Sequence, residues 1–309
     1  MDRTGYQASR RPLRRMLSAS FRQAQRTPRC PDAPRLDGAL AVVTGATGGI
    51  GLEIARGLAR RGADLILPCR NRAKGERVAH DLRAAAPGAR VELVEADLED
   101  LESVRRAAPA IVGLAASRGV KLLVENAGVW PRTYSTTRQG HEIAFGVNVL
   151  AHFALRRALA AAGVLEQARI VVLTGDIYIL ASACTSDFRW RGAYGGMQAY
   201  CRSKLGNLWV AAGLVRHRPD FEVRVVHPGV VATNLGGDAG SAGNWIKRLV
   251  MISPEEGAQM PLICATQPGL ENGGYWHNVH GRMLLPAEDP ARDIAAAAAL
   301  WDRCEALAG

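Results

Sequence analysis

Short apolar runs alternate along the chain with longer segments whose apolar residues recur at helical spacing. The apolar runs predict strands near 40–45, 64–69, 90–94, 121–125, 169–174, 222–227 and 274–276. The segments between them predict helices near 50–61, 73–86, 100–117, 141–162, 198–217, 254–266 and 290–307. Because the strands are apolar almost throughout and are separated by helices, they favour a parallel sheet with helices on both faces. The pattern therefore predicts one α/β domain, a doubly wound sheet of about seven strands with its ligand beyond the strand carboxyl ends.

Composition narrows the class of protein. The 309 residues are 48% hydrophobic and 22% charged, which is typical of a globular chain. No run approaches the roughly 18 apolar residues of a membrane-spanning helix. The six cysteines include no CxxC pair and the histidines lack metal-ligand spacing, so we predict neither a metal site nor a disulfide framework. This cysteine usage favours the reducing cytoplasm.

The net charge of +10 is concentrated at the amino terminus. Residues 1–37 hold nine arginines and three aspartates, a net charge of +6, which leaves +4 for residues 38–309. We therefore predict a basic arm over 1–37 followed by one folded domain over 38–309. Nucleic-acid binding is not expected, because the domain shows no basic stripe.

Three interpretations of the arm stay open. One is a short helix lying on an anionic membrane surface, because apolar residues recur at helical spacing opposite arginines. These are Leu13, Met16, Leu17 and Phe21, opposite Arg14, Arg15 and Arg22. The arginine-rich, serine-bearing composition also resembles an organelle transit peptide. The third interpretation is a solvated extension attached loosely to the domain.

A glycine-rich turn follows the first predicted strand of the domain. It reads Thr44-Gly45-Ala46-Thr47-Gly48-Gly49-Ile50-Gly51, and a helix is predicted to begin within it. Gly45 can adopt a turn that a side chain would hinder, while Gly49 and Gly51 let the backbone approach a pyrophosphate. The helix amino terminus offers free N–H groups and a positive dipole to phosphates. In a βαβ unit, this turn predicts a dinucleotide site.

Further motifs follow the turn in a fixed order. Glu125-Asn126-Ala127-Gly128 stands in the place of an NNAG motif, Asn148 lies in the next helix, Tyr200 and Lys204 form YxxxK, and Pro228–Thr233 reads PGVVAT. With TGxxxGxG, these motifs resemble the short-chain dehydrogenase/reductase family over roughly residues 38–290. The runs CRNR, AYCRSKLGNLW, ISPEEGAQ and GGYW are similar to its retinol-dehydrogenase-like branch. The resemblance implies a Rossmann-type fold, a nicotinamide dinucleotide, and an enzyme that interconverts an alcohol and a carbonyl. Residues 38–309 are accordingly expected to form a dinucleotide-binding catalytic domain.

The resemblance also implies roles for individual residues. Tyr200 would move the proton, Lys204 would hold the nicotinamide ribose, and Asn148 would anchor a water that relays protons to the lysine. A free phenol titrates at about pH 10, and the ammonium of Lys204, one helical turn away, would lower that pKa together with the positive nicotinamide ring. The implied cofactor-binding residues are Gly45, Thr47, Gly48, Gly49, Ile50, Gly51, Arg70, Asn71, Asp97, Leu98, Asn126, Ala127, Gly128, Tyr200, Lys204, Pro228, Gly229, Val231 and Thr233.

Charge after the second predicted strand indicates the kind of dinucleotide. An acidic residue there would bind the ribose hydroxyls and repel a 2′-phosphate. The chain instead reads Pro68-Cys69-Arg70-Asn71-Arg72, followed by Lys74. Since Arg70 can pair with a phosphate in a bidentate manner, we predict NADP(H) in preference to NAD(H), which stays possible. By resemblance, Asp97 would bind the adenine amino group, and it could equally cap a helix.

The family's catalytic serine is missing. In the retinol-dehydrogenase-like branch it lies about 25 residues before the tyrosine, and counting back from Tyr200 reaches Gly175. Thr174 is the nearest hydroxyl and is the candidate substitute, although adjacent strand residues point to opposite faces. An alternative hypothesis follows, a dinucleotide-binding sensor or scaffold without turnover.

Two long loops are expected to shape the substrate pocket. Residues 175–197 and 234–250 carry aromatic side chains, which either favour a bulky apolar substrate or close the core. The predicted partner is a small-molecule alcohol or carbonyl, and homo-oligomer formation stays open. We expect a cytoplasmic protein, with peripheral membrane contact through the arm as an open addition.

Overall fold

The computed structural model describes residues 5–9, 15–16, 23–115, 117–181, 195–232 and 251–309. Its strands are β1 Tyr6–Gln7, β2 Leu40–Val43, β3 Asp64–Cys69, β4 Val91–Glu95, β5 Leu122–Glu125, β6 Arg169–Leu173, β7 Glu222–His227, β8 Gly274–His277 and β9 Gly281–Leu284. Its α-helices are α1 Gln23–Arg26, α2 Gly49–Arg60, α3 Arg72–Ala85, α4 Leu101–Ala115, α5 Ile143–Ala161, α6 Gly196–His217, α7 Pro254–Gly257, α8 Gln259–Thr266 and α9 Ile294–Ala308. Helix α5 includes a π-helical turn at Gly146–Leu150.

All nine strands form one sheet in the order β1-β9-β8-β7-β6-β5-β2-β3-β4. Every neighbouring pair is parallel except β8 and β9. The fold is the predicted single α/β domain, but the expectation of about seven strands was too low. The two strands that were not predicted, β1 and β9, lie side by side at one edge of the sheet. Strand β1 is only two residues long, and β9 runs antiparallel to β8 after a short turn. Neither has the long apolar run on which the prediction depended.

The sheet is buried on both faces because its strands are apolar at successive positions. On β2, Leu40 and Val42 join one core cluster, while Ala41 and Val43 join the other. The first cluster packs under α4, α5, α6 and α9, and the second under α2, α3 and α8. This two-sided burial fixes the carboxyl ends of the strands, where the candidate residues gather.

The chain reverses direction across the sheet next to β2. From β2, the order proceeds to β3 and β4 on one side and to β5, β6 and β7 on the other. In doubly wound sheets, ligands bind at such a reversal, in the crevice beyond the strand carboxyl ends. A dinucleotide there would lie with one half over β3 and β4 and the other over β5 to β7.

The described parts of the arm pack against the domain. Tyr6–Gln7 pairs with β9, Arg15 and Gln23 are both 2% exposed, and the backbone N–H of Cys30 donates to Gln259 Oε1 at 2.9 Å. Of the three open interpretations, the solvated extension is therefore wrong for these residues. The physical reason is a set of polar partners on the domain, described below. The apolar positions Leu13, Leu17 and Phe21 lie outside the described residues.

One described helix is apolar enough to cross a membrane by length and composition alone. It is α5, with 19 residues and a mean hydropathy of 1.3. Since 83% of its most apolar stretch is buried inside the fold, it is typical of a core helix.

Candidate active site

Tyr200 and Lys204 lie one turn apart on α6, as their spacing predicts. The Lys204 Nζ is 5.4 Å from the centre of the Tyr200 ring and donates to the Leu173 carbonyl at 3.3 Å. Leu173 is the last residue of β6, so the pair sits at the carboxyl end of the sheet. Burial lowers the pKa of Lys204 to about 8 and raises that of Tyr200 above its ordinary value. The sequence predicts a lowered phenol pKa from the ammonium together with the positive nicotinamide ring; in the protein by itself, burial raises it instead.

Asn148 joins the pair through the π-helical turn of α5. Its side chain makes three hydrogen bonds. Oδ1 accepts from Val129 N at 2.7 Å, and Nδ2 donates to Val129 O at 3.0 Å and to Ser203 Oγ at 2.9 Å. A Cβ built on Gly128 would lie 3.2 Å from Asn148 Oδ1 and 3.7 Å from Lys204 Nζ. The structure therefore brings together Gly128, Asn148 and Lys204.

The hydroxyl of Thr174 is bonded to the backbone of α6. It donates to the backbone carbonyl of Lys204 at 2.7 Å and is buried. The carboxylate of Asp176 accepts from Arg15 at 2.5 Å and from Tyr275 at 2.9 Å. Thr174 and Asp176 are thus both engaged elsewhere. The structure does not bring the candidate substitute Thr174 to the serine position, because its hydroxyl already binds the α6 backbone.

Gly175 leaves room for a side chain. A Cβ built there would lie 3.5 Å from Ile177 Cγ2 and 3.8 Å from Lys204 Cγ, both ordinary van der Waals contacts. A serine would therefore fit beside Lys204 without displacing a neighbour.

The glycine-rich turn fits a pyrophosphate. Helix α2 begins at Gly49, and no side chain caps its amino terminus, so its first N–H groups are available to an anion. Gly45 has a φ of +67°, and a Cβ there would lie 2.8 Å from the Ala127 Cα. Across the turn, Lys74 Nζ lies 3.5 Å from the position of a Cβ on Gly48. Free N–H groups, a backbone without side chains in the way and a nearby ammonium together favour the binding of phosphates. Thr47 and Ile50 lie within the same turn.

Residues after β3 and β4 would meet the adenosine half. Arg70 is exposed and pairs with Glu99 at 2.7 Å, and its Nη1 is 3.7 Å from Asp97 Oδ1. Asn71 caps α3, since its Oδ1 accepts from Lys74 N at 2.9 Å. The Asp97 carboxylate accepts from Glu99 N at 3.0 Å, and the neighbouring Leu98 packs against the core.

Hydrogen bonds join the residues that follow β2 and β5 beneath the site. Thr44 Oγ1 accepts from the N–H groups of Asn126 at 3.0 Å and Ala127 at 3.1 Å, and Asn126 Nδ2 donates to Thr44 O at 2.9 Å. These bonds hold the Asn126–Gly128 backbone beside the glycine turn, as the motif predicts.

The Pro228–Val231 segment leaves the carboxyl end of β7. Val231 forms an isolated bridge with Ile252, in which the Ala232 N–H donates to Ile252 O at 2.9 Å. Thr233 lies outside the described residues, as do 182–194 of the first expected substrate loop and the whole of the second, 234–250.

Comparison with known proteins agrees with this geometry. Residues 39–243 match the family described as short chain dehydrogenase. The chain belongs to the short-chain dehydrogenase family. It is 34% identical to mouse retinol dehydrogenase 11 over 307 residues, which cover 96% of this chain and 92% of that protein. It is 34% identical to mouse retinol dehydrogenase 14, covering 90% of this chain and 88% of that one.

Solved structures show the same family fold. A crystal structure of an uncharacterized protein from Mycobacterium paratuberculosis superimposes with a TM-score of 0.74 at 31% identity, covering 91% of this chain and 97% of that one. A short chain dehydrogenase from Burkholderia cenocepacia, in complex with NADP, gives a TM-score of 0.65 at 26% identity, covering 80% and 99%. The chain is accordingly a short-chain dehydrogenase-type oxidoreductase of the retinol-dehydrogenase-like kind, with a nicotinamide dinucleotide cofactor.

Sequence reasoning missed three features of this short-chain dehydrogenase site. Trp130 stacks on Tyr200, with ring centres 5.4 Å apart and planes 17° from parallel. His152 is buried, and its ring nitrogens lie 2.9 Å from Thr44 Oγ1 and 3.3 Å from Asn148 O. Glu125, which replaces an asparagine of the family motif, is buried and paired with Arg156 of α5. The sequence signal for the Glu125–Arg156 ion pair was one charged residue among the apolar positions of β5 and one among those of α5.

Proposed function

We propose that this protein is an NADP(H)-dependent oxidoreductase that interconverts an alcohol and a carbonyl on a bulky apolar substrate. The observation that supports it most is the position of Tyr200 and Lys204 at the carboxyl end of β6. They lie at the same edge of the sheet as the uncapped glycine turn of α2. A proton donor is thus next to the crevice where the dinucleotide is expected.

The dinucleotide, when bound, supplies or accepts the hydride. Tyr200 donates its phenolic proton to the carbonyl oxygen during reduction, and its raised pKa keeps that proton in place at neutral pH. Lys204 stabilises the phenolate that remains. Asn148 positions this machinery, because its side chain ties Val129 to Ser203 of α6. Trp130 covers one face of the Tyr200 ring and excludes water from it.

Preference for NADP(H) is supported by two cations beside the adenosine end. Arg70 is exposed at the end of β3, and Lys74 reaches the glycine turn. Both could pair with a 2′-phosphate. The carboxylate of Glu99 competes with the 2′-phosphate for Arg70. NAD(H) has no 2′-phosphate, so this competition would not weaken its binding.

Two substitutions test the preference. Arg70→Ala should weaken NADPH binding about tenfold or more, and NADH binding much less, because a charge-assisted hydrogen bond is lost. Glu99→Gln should strengthen NADPH binding, since it frees Arg70. Equal weakening of both dinucleotides by Arg70→Ala, measured by fluorescence titration, contradicts the assignment.

An apolar substrate is supported by the retinol dehydrogenase relatives and by Trp130 at the catalytic tyrosine. We therefore propose an alcohol or aldehyde with a long apolar body, of the retinoid kind. The location proposed is the cytoplasm, with peripheral membrane contact through the arm. Pelleting of the protein with anionic vesicles at low salt would support the membrane contact. If the protein does not pellet with the vesicles, the membrane contact is refuted.

The absence of a side chain at Gly175 favours a second candidate function, dinucleotide binding without turnover. The missing hydroxyl would have donated a hydrogen bond to the substrate oxygen as charge develops there. Loss of one such donor typically costs about 10² to 10³ in rate. The two candidates differ in whether turnover exists at all.

One experiment separates them: measure NADPH-dependent reduction of long-chain and retinoid aldehydes by the wild type, Gly175→Ser, Thr174→Val and Tyr200→Phe. We expect slow turnover that Gly175→Ser increases several-fold and that Tyr200→Phe abolishes without changing NADPH affinity. A large loss in Thr174→Val would assign the donor role to that hydroxyl instead. If NADPH binds but no variant turns over any substrate, the non-catalytic function is correct.

A further inference from the structure

The arm contributes a buried amide to the Pro228–Val231 segment. Gln23, in the short helix α1, is 2% exposed and lies 207 residues away from Val230 in sequence. Its Nε2 donates to Val230 O at 2.9 Å, and its Oε1 accepts from Val230 N at 3.1 Å. One side chain therefore bonds to both backbone groups of Val230, whose carbonyl also accepts from the Ile252 N–H at 2.9 Å.

Asn278 and Gly229 lie close to the same Gln23 side chain. Gln23 Oε1 also lies 3.3 Å from Asn278 Nδ2, just beyond β8. Gly229 has a φ of +100°, and a Cβ there would lie 2.5 Å from Asn278 Nδ2 and 2.9 Å from Gln23 Oε1. The segment thus takes a conformation that favours glycine. Its Val230 bonds to the side chain of Gln23 and to the backbone of Ile252, which come from two distant parts of the chain.

The order of strands indicates which half of the dinucleotide this segment meets. The adenosine-side residues follow β3 and β4, the glycine turn follows β2, and Tyr200 and Lys204 lie beside β6. Val230 follows β7, on the far side of β6 from the glycine turn. Under the proposed function, the segment therefore faces the nicotinamide half.

We propose that Gln23 is a positioning residue that fixes the Val230–Val231 backbone for the nicotinamide half of the dinucleotide. This inference rests on the proposed function. It makes the amino-terminal arm part of the cofactor site of its own chain. Loss of the Gln23 amide should leave the adenosine half of the site intact.

The test compares Gln23→Met with Gln25→Met in the full-length protein. Methionine keeps the length and volume of glutamine but removes the amide, and Gln25 is an exposed glutamine of the same helix, which makes it a matched control. The ligands are NADPH and 2′-phospho-ADP-ribose, which has the adenosine half and both bridging phosphates but no nicotinamide. Hydrogen exchange of the Val230 amide gives a readout that needs no ligand.

We expect Gln23→Met to weaken NADPH binding about fivefold or more while binding of 2′-phospho-ADP-ribose stays within about twofold. The Val230 amide should exchange faster, and Gln25→Met should behave as the wild type in every measurement. If Gln23→Met does not fold, Gln23→Glu serves instead, since it keeps the acceptor for Val230 N–H and loses the donor to Val230 O.

Unchanged NADPH binding in the Gln23 variants would overturn the proposal, and so would equal weakening of both ligands. Failure of the proposed function looks different: the wild type would then either bind neither ligand, or bind NADPH without turning over any substrate, and only the first outcome removes the cofactor site. In that case faster exchange of the Val230 amide would still report the Gln23 contact, while its role toward a cofactor would be refuted.

Discussion

At the scale of single residues, the site combines a buried amine with a half-buried phenol. Lys204 has one described hydrogen-bond acceptor, the Leu173 carbonyl, and burial lowers its pKa from 10.5 to about 8. Tyr200 keeps its proton over the neutral range because burial raises its pKa. The group whose charge changes nearest to working pH is therefore the lysine.

A pH dependence of reduction follows from this order of pKa values. In the proposed mechanism, carbonyl reduction needs the Tyr200 proton and an ammonium that stabilises the phenolate left behind. As pH rises through about 8, Lys204 loses its charge, so kcat/KM for reduction should fall. Lys204→Arg stays charged, and any activity it retains should be independent of pH over that range. A wild-type profile that stays level well above pH 8 would contradict the assignment.

The same burial predicts that Lys204 costs stability. Because its folded pKa of about 8 lies below 10.5, the unfolded chain binds more protons between these values. The cost is complete below pH 8, at about 3 kcal/mol, and disappears as pH rises toward 10.5. Lys204→Met should therefore be inactive but more stable than the wild type to urea at pH 7, with a smaller difference at higher pH. A variant less stable at pH 7 would show that the ammonium is compensated.

At the scale of elements, apolar runs and helical spacing were sufficient to predict seven strands and the helices between them. They also placed Tyr200 and Lys204 on one helix, since that placement depends only on local spacing. The π-helical turn that carries Asn148 and the stacking of Trp130 on Tyr200 depend on tertiary contacts, so local patterns could not predict them. Likewise, strand alternation alone could not show that the Thr174 hydroxyl binds the α6 backbone.

The ion pair between Glu125 at the end of β5 and Arg156 of α5 is a prediction at this scale. Both side chains are at most 4% exposed. Arg156→Leu should lower the free energy of unfolding by about 3–5 kcal/mol, because it leaves a buried carboxylate without its partner. Adding Glu125→Asn, which restores the family's asparagine, should recover most of that loss.

Arg157→Leu is the matched control, since the neighbouring Arg157 pairs with Glu305 in a partly exposed position. It should cost less than about 1 kcal/mol. Urea unfolding of the four proteins measures these differences, and a double variant as unstable as Arg156→Leu alone would show that the charge of Glu125 is not the cause.

At the scale of the whole molecule, none of the three interpretations of the arm included its contacts with the interior of the domain. Its composition indicated exposure, yet Arg15 contacts Asp176 and Asp289, which lie 161 and 274 residues further along the chain. Composition describes a segment by itself and carries no information on partners at such separations. The domain supplies buried carboxylates, and the arm supplies the cation that compensates them.

The last prediction concerns Arg15, whose side chain is 1% exposed. It binds Asp176 Oδ1 at 2.5 Å, Asp289 Oδ2 at 3.0 Å and Tyr178 OH at 3.2 Å. Arg15→Met leaves two buried carboxylates without a cation and should lower the free energy of unfolding by about 3–5 kcal/mol. Arg29→Met, at an exposed arginine of the same arm, should change it by less than about 0.5 kcal/mol.

Charge compensation and simple packing make different predictions for a triple variant. If compensation is the cause, adding Asp176→Asn and Asp289→Asn to Arg15→Met should restore most of the stability, because no buried charge then remains. If the arm contributed only packing, the triple variant would stay as unstable as Arg15→Met. Deletion of residues 1–35 should destabilise the domain at least as much as Arg15→Met, since it removes Gln23 as well. A deletion variant that unfolds in urea at the wild-type midpoint would return the arm to the status of a loose extension.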